Sequence, residues 1–203
     1  MGELENLSRR FGGHVPGLLG ARAGYAVLCP LVERPEGVHL LFEVRSRTVS
    51  QGGEVCFPGG RMEPGETPQS CALRETEEEL AIPRDQIQLL GTPDFICNQR
   101  GFLLHPVLGV VSSKGLEALR PSPAEVAEVF TVPLSFFRQT PPECYRYALE
   151  PQVPDTFPYE AVGIPRNYPW ASGWVEVPVW HYGPHIIWGM TARIVRDLAQ
   201  TAP

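Results

Sequence analysis

Paired cysteines at redox or metal-binding spacing are missing from this chain of 203 residues. Cys29, Cys56, Cys71, Cys97 and Cys144 are odd in number and form no C-x-x-C, which argues against a disulfide framework. Reduced thiols, most of them acting as small buried hydrophobes, fit a cytoplasmic protein. An excess of positive charge is missing too: the net charge is −6 and the pI near 5.4. Broad attraction to nucleic acid or to an anionic membrane is therefore not expected, and an anionic ligand needs a local basic patch, a metal or both. No apolar run reaches the ~20 residues that span a bilayer, and the first residues lack the positive-then-apolar pattern of a secretory signal. No internal repeat is visible.

What is present is ordinary globular material, 43% hydrophobic and 20% charged. That composition predicts a single domain over residues 1–203, with an N-terminal segment at 1–24 and a proline- and aromatic-rich arm or lid at 140–184. A short helix is expected near residues 3–11. Residues 25–32 (YAVLCPLV) and 39–45 (HLLFEVR) read as strands of a hairpin, joined by the turn-forming ERPEG. A short strand at 54–57 follows a polar loop at 46–53. Strands are expected again at 87–90 and 101–111, then a short helix or turn within 121–130 and an apolar element through 137. Residues 185–199 place Ile187, Met190, Thr191, Ile194 and Leu198 at helical spacing, which predicts a closing core helix.

The organising stretch is residues 57–82, FPGGRMEPGETPQSCALRETEEELAI. Thr67 before Pro68 is a helix start, since the Thr side chain can cap free N–H groups and Pro lacks one of them. The helix should end near Leu80, ahead of Pro83. At ~100° per residue, Ala72, Leu73, Thr76 and Leu80 form the buried stripe, while Glu75, Glu78 and Glu79 share a neighbouring arc. Like charges at these spacings repel, so helix stability does not select them. A divalent cation such as Mg²⁺ or Mn²⁺, which prefers hard oxygen ligands, would remove the conflict.

Gly60, five residues, Glu66, seven residues, then Arg74-Glu75-Thr76-Glu77-Glu78-Glu79-Leu80-Ala81-Ile82 resembles the Nudix box, Gly-x5-Glu-x7-Arg-Glu-U-x-Glu-Glu-x-Gly-U with U apolar. Thr76 stands at an aliphatic position and Ala81 at the glycine. Upstream, Leu41-Phe-Glu-Val-Arg-Ser46 and Gly53-Glu-Val-Cys-Phe-Pro-Gly-Gly60 are similar to the signature of coenzyme A pyrophosphatases, Leu-Leu-Thr-x-Arg-Ser and Gly-x3-Phe-Pro-Gly-Gly. The loop between them is one residue shorter than in that pattern, with Ser50 where an arginine is usual. Segments 123–126, 132–134 and 187–192 resemble the same subfamily.

The resemblance implies a Nudix-type α/β/α sandwich with a mixed β-sheet and hydrolysis of a nucleoside diphosphate linked to another moiety, assisted by Mg²⁺ or Mn²⁺. Glu75, Glu78, Glu79 and the Gly59 carbonyl would hold the metal, with Arg74 and Glu66 orienting the carboxylates. Glu75, Glu79 or Glu125 would take the proton from water. Arg45 and Arg47 would grip the pyrophosphate or 3′-phosphate of coenzyme A. Coenzyme A is the expected small-molecule substrate; ADP-ribose, a nucleotide sugar or a damaged nucleotide is the alternative. A non-catalytic Nudix-fold binding module would be marked by loss of the metal carboxylates, and all three remain. His105 is expected in the core, Glu54, Glu63 and Glu77 face solvent, and His181 and His185 stay unassigned. The arm would close over the pantetheine end or pair with a second subunit as a homodimer.

Overall fold

The computed structural model describes residues 2–14, 17–21 and 23–200; positions 15, 16 and 22, in the connection expected before the first strand, lie outside them. The opening helix α1 is Glu3–Phe11, with Glu3 and Glu5 in its first turn and Arg9 and Arg10 in its last, matching the helix dipole. Strands β1 (Ala23–Arg34) and β2 (Gly37–Arg45) form the hairpin, pairing Leu31 with Leu40 and Arg34 with Gly37. Next come β3 (Val55–Cys56), β4 (Gly59–Arg61), helix α2 (Pro68–Leu80), β5 (Ile87–Gly91), β6 (Ile96–Cys97) and β7 (Phe102–Val111). The chain continues through α3 (Ser113–Ala118), β8 (Val126–Pro133), α4 (Leu134–Gln139), β9 (Glu143–Leu149) and α5 (Tyr159–Val162). It ends with β10 (Gly173–Tyr182), β11 (His185–Trp188) and α6 (Gly189–Gln200).

Among the described residues, eight strands make one mixed sheet and three make a second, antiparallel one. The long parallel pair is β1 with β7, from Ala23 opposite Phe102 to Leu31 opposite Val110. β4 joins the start of β1, β8 and β3 join β2, and β5 and β6 join β7, all antiparallel. Alternation along β2 sends its side chains to two cores. Leu41 packs with Cys71, Ala72 and Leu80 of α2, whereas Leu40 and Phe42 pack with Phe137 of α4 and Ile194 and Val195 of α6. Helices thus cover both faces of a mixed sheet, as expected.

Three local expectations change. Residues 126–130 are strand β8 rather than part of a helix, because Val126 to Pro133 can pair with β2, and the turn is confined to 123–125. Helix α3 had no periodic signal at six residues. The closing helix begins at Gly189, and Ile187 belongs to β11, where it opposes Trp180. A four-residue run such as His185–Trp188 satisfies either period, and the hairpin partner β10 decides between them.

The expected arm at 140–184 supplies β9 and β10 of the second sheet, which β11 completes just beyond it, while residues 150–172 between the two strands carry only the short helix α5. Its inner face is anchored by Trp180, which is buried, packs edge-on against Phe137 and donates its indole N–H to the Thr140 carbonyl at 2.7 Å. His105 is half-buried beside Phe95, not fully in the core.

Helix α2 ends on Ala81 in a left-handed conformation, φ 56° and ψ 24°, with its N–H bonded to the Glu77 carbonyl. An L-residue with a Cβ is strained there, by roughly 1 kcal/mol. Ala81 is exposed. Ala81→Gly is therefore expected to raise the unfolding free energy by about 0.5–1 kcal/mol, measured by denaturant titration; equal or lower stability would refute strain at this cap.

Candidate active site

Helix α2 is started as its sequence predicts. The Thr67 hydroxyl accepts from the Ser70 N–H at 3.1 Å and the Ser70 hydroxyl accepts from the Thr67 N–H at 3.0 Å, with Pro68 opening the helix. Its buried face is Cys71, Ala72, Thr76, Glu79 and Leu80. Thr76 is tolerated at an apolar position because its hydroxyl donates to the Ala72 carbonyl at 2.7 Å. Two placements differ from expectation. Leu73 is only half-buried, and Glu79 leaves the exposed arc for the interior, 3% accessible.

Glu79 is held there by the glycine turn, its Oε2 accepting the Gly59 N–H at 2.8 Å. Gly59 and Gly60 allow β4 to lie between β1 and α2. A Cβ at Gly59 would fall on the Ala26 carbonyl, and one at Gly60 would fall on the Glu75 carboxylate. Arg74 then ties the remaining acids together. Its guanidinium meets Glu66 through Nε at 3.0 Å and Nη2 at 3.1 Å, Glu75 at 2.8 Å and Glu78 at 3.1 Å. Arg74 also donates to the Arg61 carbonyl, so it fixes turn to helix and depresses the Glu66 carboxyl well below the ordinary range. Glu63 is exposed, and Glu77 is exposed and paired with Arg84 at 2.7 Å; Glu54, expected in solvent, is half-buried at a cavity edge.

A further acid escaped the sequence reading. Glu43, in the middle of apolar β2, is fully buried; a charged residue interrupting HLLF was the available signal. Burial raises its carboxyl to about 7 against the opposing help of the Cys56 thiol and Arg45, with Glu125 and Glu75 raising it further. Burial likewise raises Glu79 to about 8, with Glu43 the next contributor, then Glu75 and Glu125. Glu75 is also raised, chiefly by burial. A carboxylate whose native pKa lies above its unfolded value stabilises the fold below the unfolded pKa and loses that contribution as pH rises through the native one. Metal-free protein is therefore expected to lose thermal stability from about pH 5 to pH 8, and Glu79→Gln to flatten the slope; melting curves across that range check it, and an unchanged slope in Glu79→Gln would sink it.

As they stand, no three His, Cys, Asp or Glu side chains among the described residues are gathered tightly enough to hold an ion. Glu75 and Glu78 turn to Arg74, and Glu79 turns to Gly59. The donor set nonetheless fits a hard divalent cation: the groups are carboxylate oxygens, and the mutual repulsion that adds to burial in raising Glu79 and Glu43 is what such a charge relieves.

Beside this cluster opens a cavity of about 290 Å³. Arg45, Cys56 and Gly59 line it near the acids, Arg193 of α6 adds a second guanidinium, and Tyr147, Val175, Val177 and Trp188 of the second sheet form an apolar wall. The register of β2 on β8 shifts between Val44 and Arg45, and a bulge of this kind re-aims the side chain that follows. Arg45 Nε donates to the Ser50 carbonyl at 3.0 Å, so the shortened loop clamps it through backbone. Arg47, predicted beside Arg45, is exposed and lies outside the lining. Glu125 sits in the turn before β8, exposed, with its carbonyl bonded by the Ser46 N–H at 2.7 Å. His185 stacks on Phe130 at 3.7 Å and meets Glu128 at 3.1 Å, away from the carboxylate helix. Arg193 was missed because the subsegment likeness stopped at Ala192 and nothing local marks one arginine on a core helix.

A mixed sheet sandwiched by helices, with a carboxylate helix behind a glycine turn, defines the class to which the comparisons also point. The NUDIX domain pattern matches residues 23–146, and the chain belongs to the Nudix family. A Nudix hydrolase named NudL from Photorhabdus laumondii is 33% identical over 176 residues, 86% of this chain and 82% of the relative. A NudL from Yersinia enterocolitica is 33% identical over 192 residues, covering 91% of this chain and 85% of its own. Nudix hydrolase 3 of Caenorhabditis elegans is 39% identical over 137 residues, 64% of this chain and 57% of that protein. The crystal structure of the Nudix hydrolase RenU from M. smegmatis shares the fold, with a TM-score of 0.50 at 23% identity over 59% of this chain and 75% of that one. The chain is thus a Nudix hydrolase, and the family activity is hydrolysis of a nucleoside diphosphate derivative, with a divalent cation in general use. Among the described residues no helix is long and apolar enough to cross a membrane.

Proposed function

We propose that this enzyme hydrolyses the pyrophosphate bond of coenzyme A or its derivatives, giving 3′,5′-ADP and 4′-phosphopantetheine. The observation that carries the reading is the continuity of one cavity from Gly59 and Arg45 to the apolar wall of Tyr147, Val175, Val177 and Trp188. Such a space suits a ligand with anionic phosphates at one end and a long, weakly polar tail at the other. Arg45 and Arg193 would bind the phosphates, since guanidinium groups pair with them through charge-assisted hydrogen bonds. Arg47 would serve only a phosphate projecting into solvent. The share of the wall supplied by the second sheet supports an arm that covers the pantetheine end, within one domain spanning residues 1–203 in the cytoplasm; a homodimer through the same arm is the other arrangement.

Glu75, Glu78, Glu79 and the Gly59 carbonyl would hold Mg²⁺ or Mn²⁺, which when bound neutralises phosphate charge and acidifies a water. Arg74 orients Glu75 and Glu78, and the Gly59 N–H orients Glu79. The proton acceptor is Glu75, Glu79 or Glu125. Of these, Glu125 alone is exposed and makes no hydrogen bond to another described side chain. The exposed rings of Tyr147 and Trp188 also suit a flat base, which favours ADP-ribose or another nucleoside diphosphate derivative as the second reading. Product analysis with coenzyme A and ADP-ribose side by side decides: kcat/KM on coenzyme A should exceed that on ADP-ribose at least tenfold, and equal or lower turnover on coenzyme A would overturn the substrate assignment.

A further inference from the structure

Strand β2 carries a carboxylate that the motif does not explain. Glu43 follows Leu40, Leu41 and Phe42 and is, like them, wholly removed from solvent. Its Oε1 accepts from the Cys56 thiol at 3.3 Å, while its Oε2 is buried with no hydrogen-bond partner. An unsatisfied buried carboxylate oxygen is costly, and an apolar residue of similar size would remove the cost. Strand alternation puts Glu43 on the face of Leu41, the side packed against Ala72 and Leu80 of α2. The acids that act on it electrostatically are Glu79, Glu75 and Glu125; the one neighbouring cation, Arg45, is already bonded to Ser50 and does not balance them.

We propose that Glu43 completes the cation site from the sheet side, its free Oε2 turning to a divalent ion otherwise held by α2. The inference rests on the family reading for the ion, and it adds a carboxylate from outside residues 60–82. A ligand on β2 ties the ion to the sheet core, while Glu75, Glu78 and Glu79 tie it to the helix. The Cys56 thiol, bonded to the other oxygen, then acts as a positioning group that sets the carboxylate's rotation, as outer partners do for metal ligands in general.

Mn²⁺ titration, with free ion followed by electron paramagnetic resonance and the melting temperature recorded with and without Mn²⁺, tests the proposal on the intact chain. Glu43→Gln keeps shape and loses charge. It should weaken Mn²⁺ affinity by about tenfold or more and lose most of the Mn²⁺-induced rise in melting temperature. Unchanged affinity in a folded Glu43→Gln overturns the proposal. Should that variant not fold, Glu43→Asp, which keeps the charge and withdraws the oxygens by one methylene, must show the weakening, and wild-type affinity there overturns it equally. Glu78→Gln runs alongside. If it weakens Mn²⁺ binding and the Glu43 variants do not, this inference alone fails; if the native protein binds no Mn²⁺, the family reading of the site fails with it.

Discussion

Turnover by Glu78→Gln should fall about a thousandfold, equivalent to about 4 kcal/mol of transition-state stabilisation, while the fold stays intact. Glu78 is 57% exposed and its one described partner is Arg74, which keeps its bonds to Glu66, Glu75 and the Arg61 carbonyl when Glu78 is neutralised. The loss of an exposed ion pair costs at most about 1 kcal/mol of stability. The loss of a carboxylate from the cation site removes charge where phosphate hydrolysis needs it. Steady-state kinetics at saturating Mg²⁺, paired with thermal melting, separate the two effects. Activity within tenfold of the native enzyme would take Glu78 out of the cation set.

Gly59→Ala should destabilise the protein by about 3 kcal/mol and abolish activity. Gly59 has φ 156°, and an added Cβ would meet backbone on β1: the Ala26 carbonyl and Val27 Cα at 2.6 Å. That backbone cannot retreat, because β1 is paired with β7 on its other side through Ala26 and Val27. Gly60→Ala makes the instructive contrast. Its Cβ would overlap the Glu75 carboxylate, the far end of a side chain that can swing away. Activity should be lost there with a smaller stability change than in Gly59→Ala. Urea unfolding of both variants checks the order, and equal stability of Gly59→Ala and the native chain would refute the close approach of β4 to β1.

Much of this was legible in the residues, for reasons that differ by region. Helix α2 carries its own boundaries: Thr67 and Pro68 start it, and Pro83 stops it, all by local chemistry. The β1–β2 hairpin is likewise local, a turn between two apolar strands. Strand β8 and strand β11 were not, because a short apolar run fits a helix or a strand until a partner is chosen, and their partners β2 and β10 are supplied by the sheets. The arm hid for the same reason. Its aromatics read as packing in general, but only the pairing of β10 with β9 and β11 separates Trp180, turned inward, from Tyr147 and Trp188, turned to the cavity.

The site divides along the same line. The sequence by itself determined the family, the carboxylate helix, the glycine turn and the two-residue proximity of Arg45 to Arg47, since each is written within a short span. The tertiary structure alone decided that Glu79 is buried and Glu78 exposed, and that Arg45 lines the cavity while Arg47 does not. It alone brought Arg193 from the last helix to the cavity, and Glu43 from the second strand into the surroundings of Glu79. Helical and strand periodicities say which residues share a face; which face meets the other element, and so which carboxylate loses its water, depends on how distant segments pack.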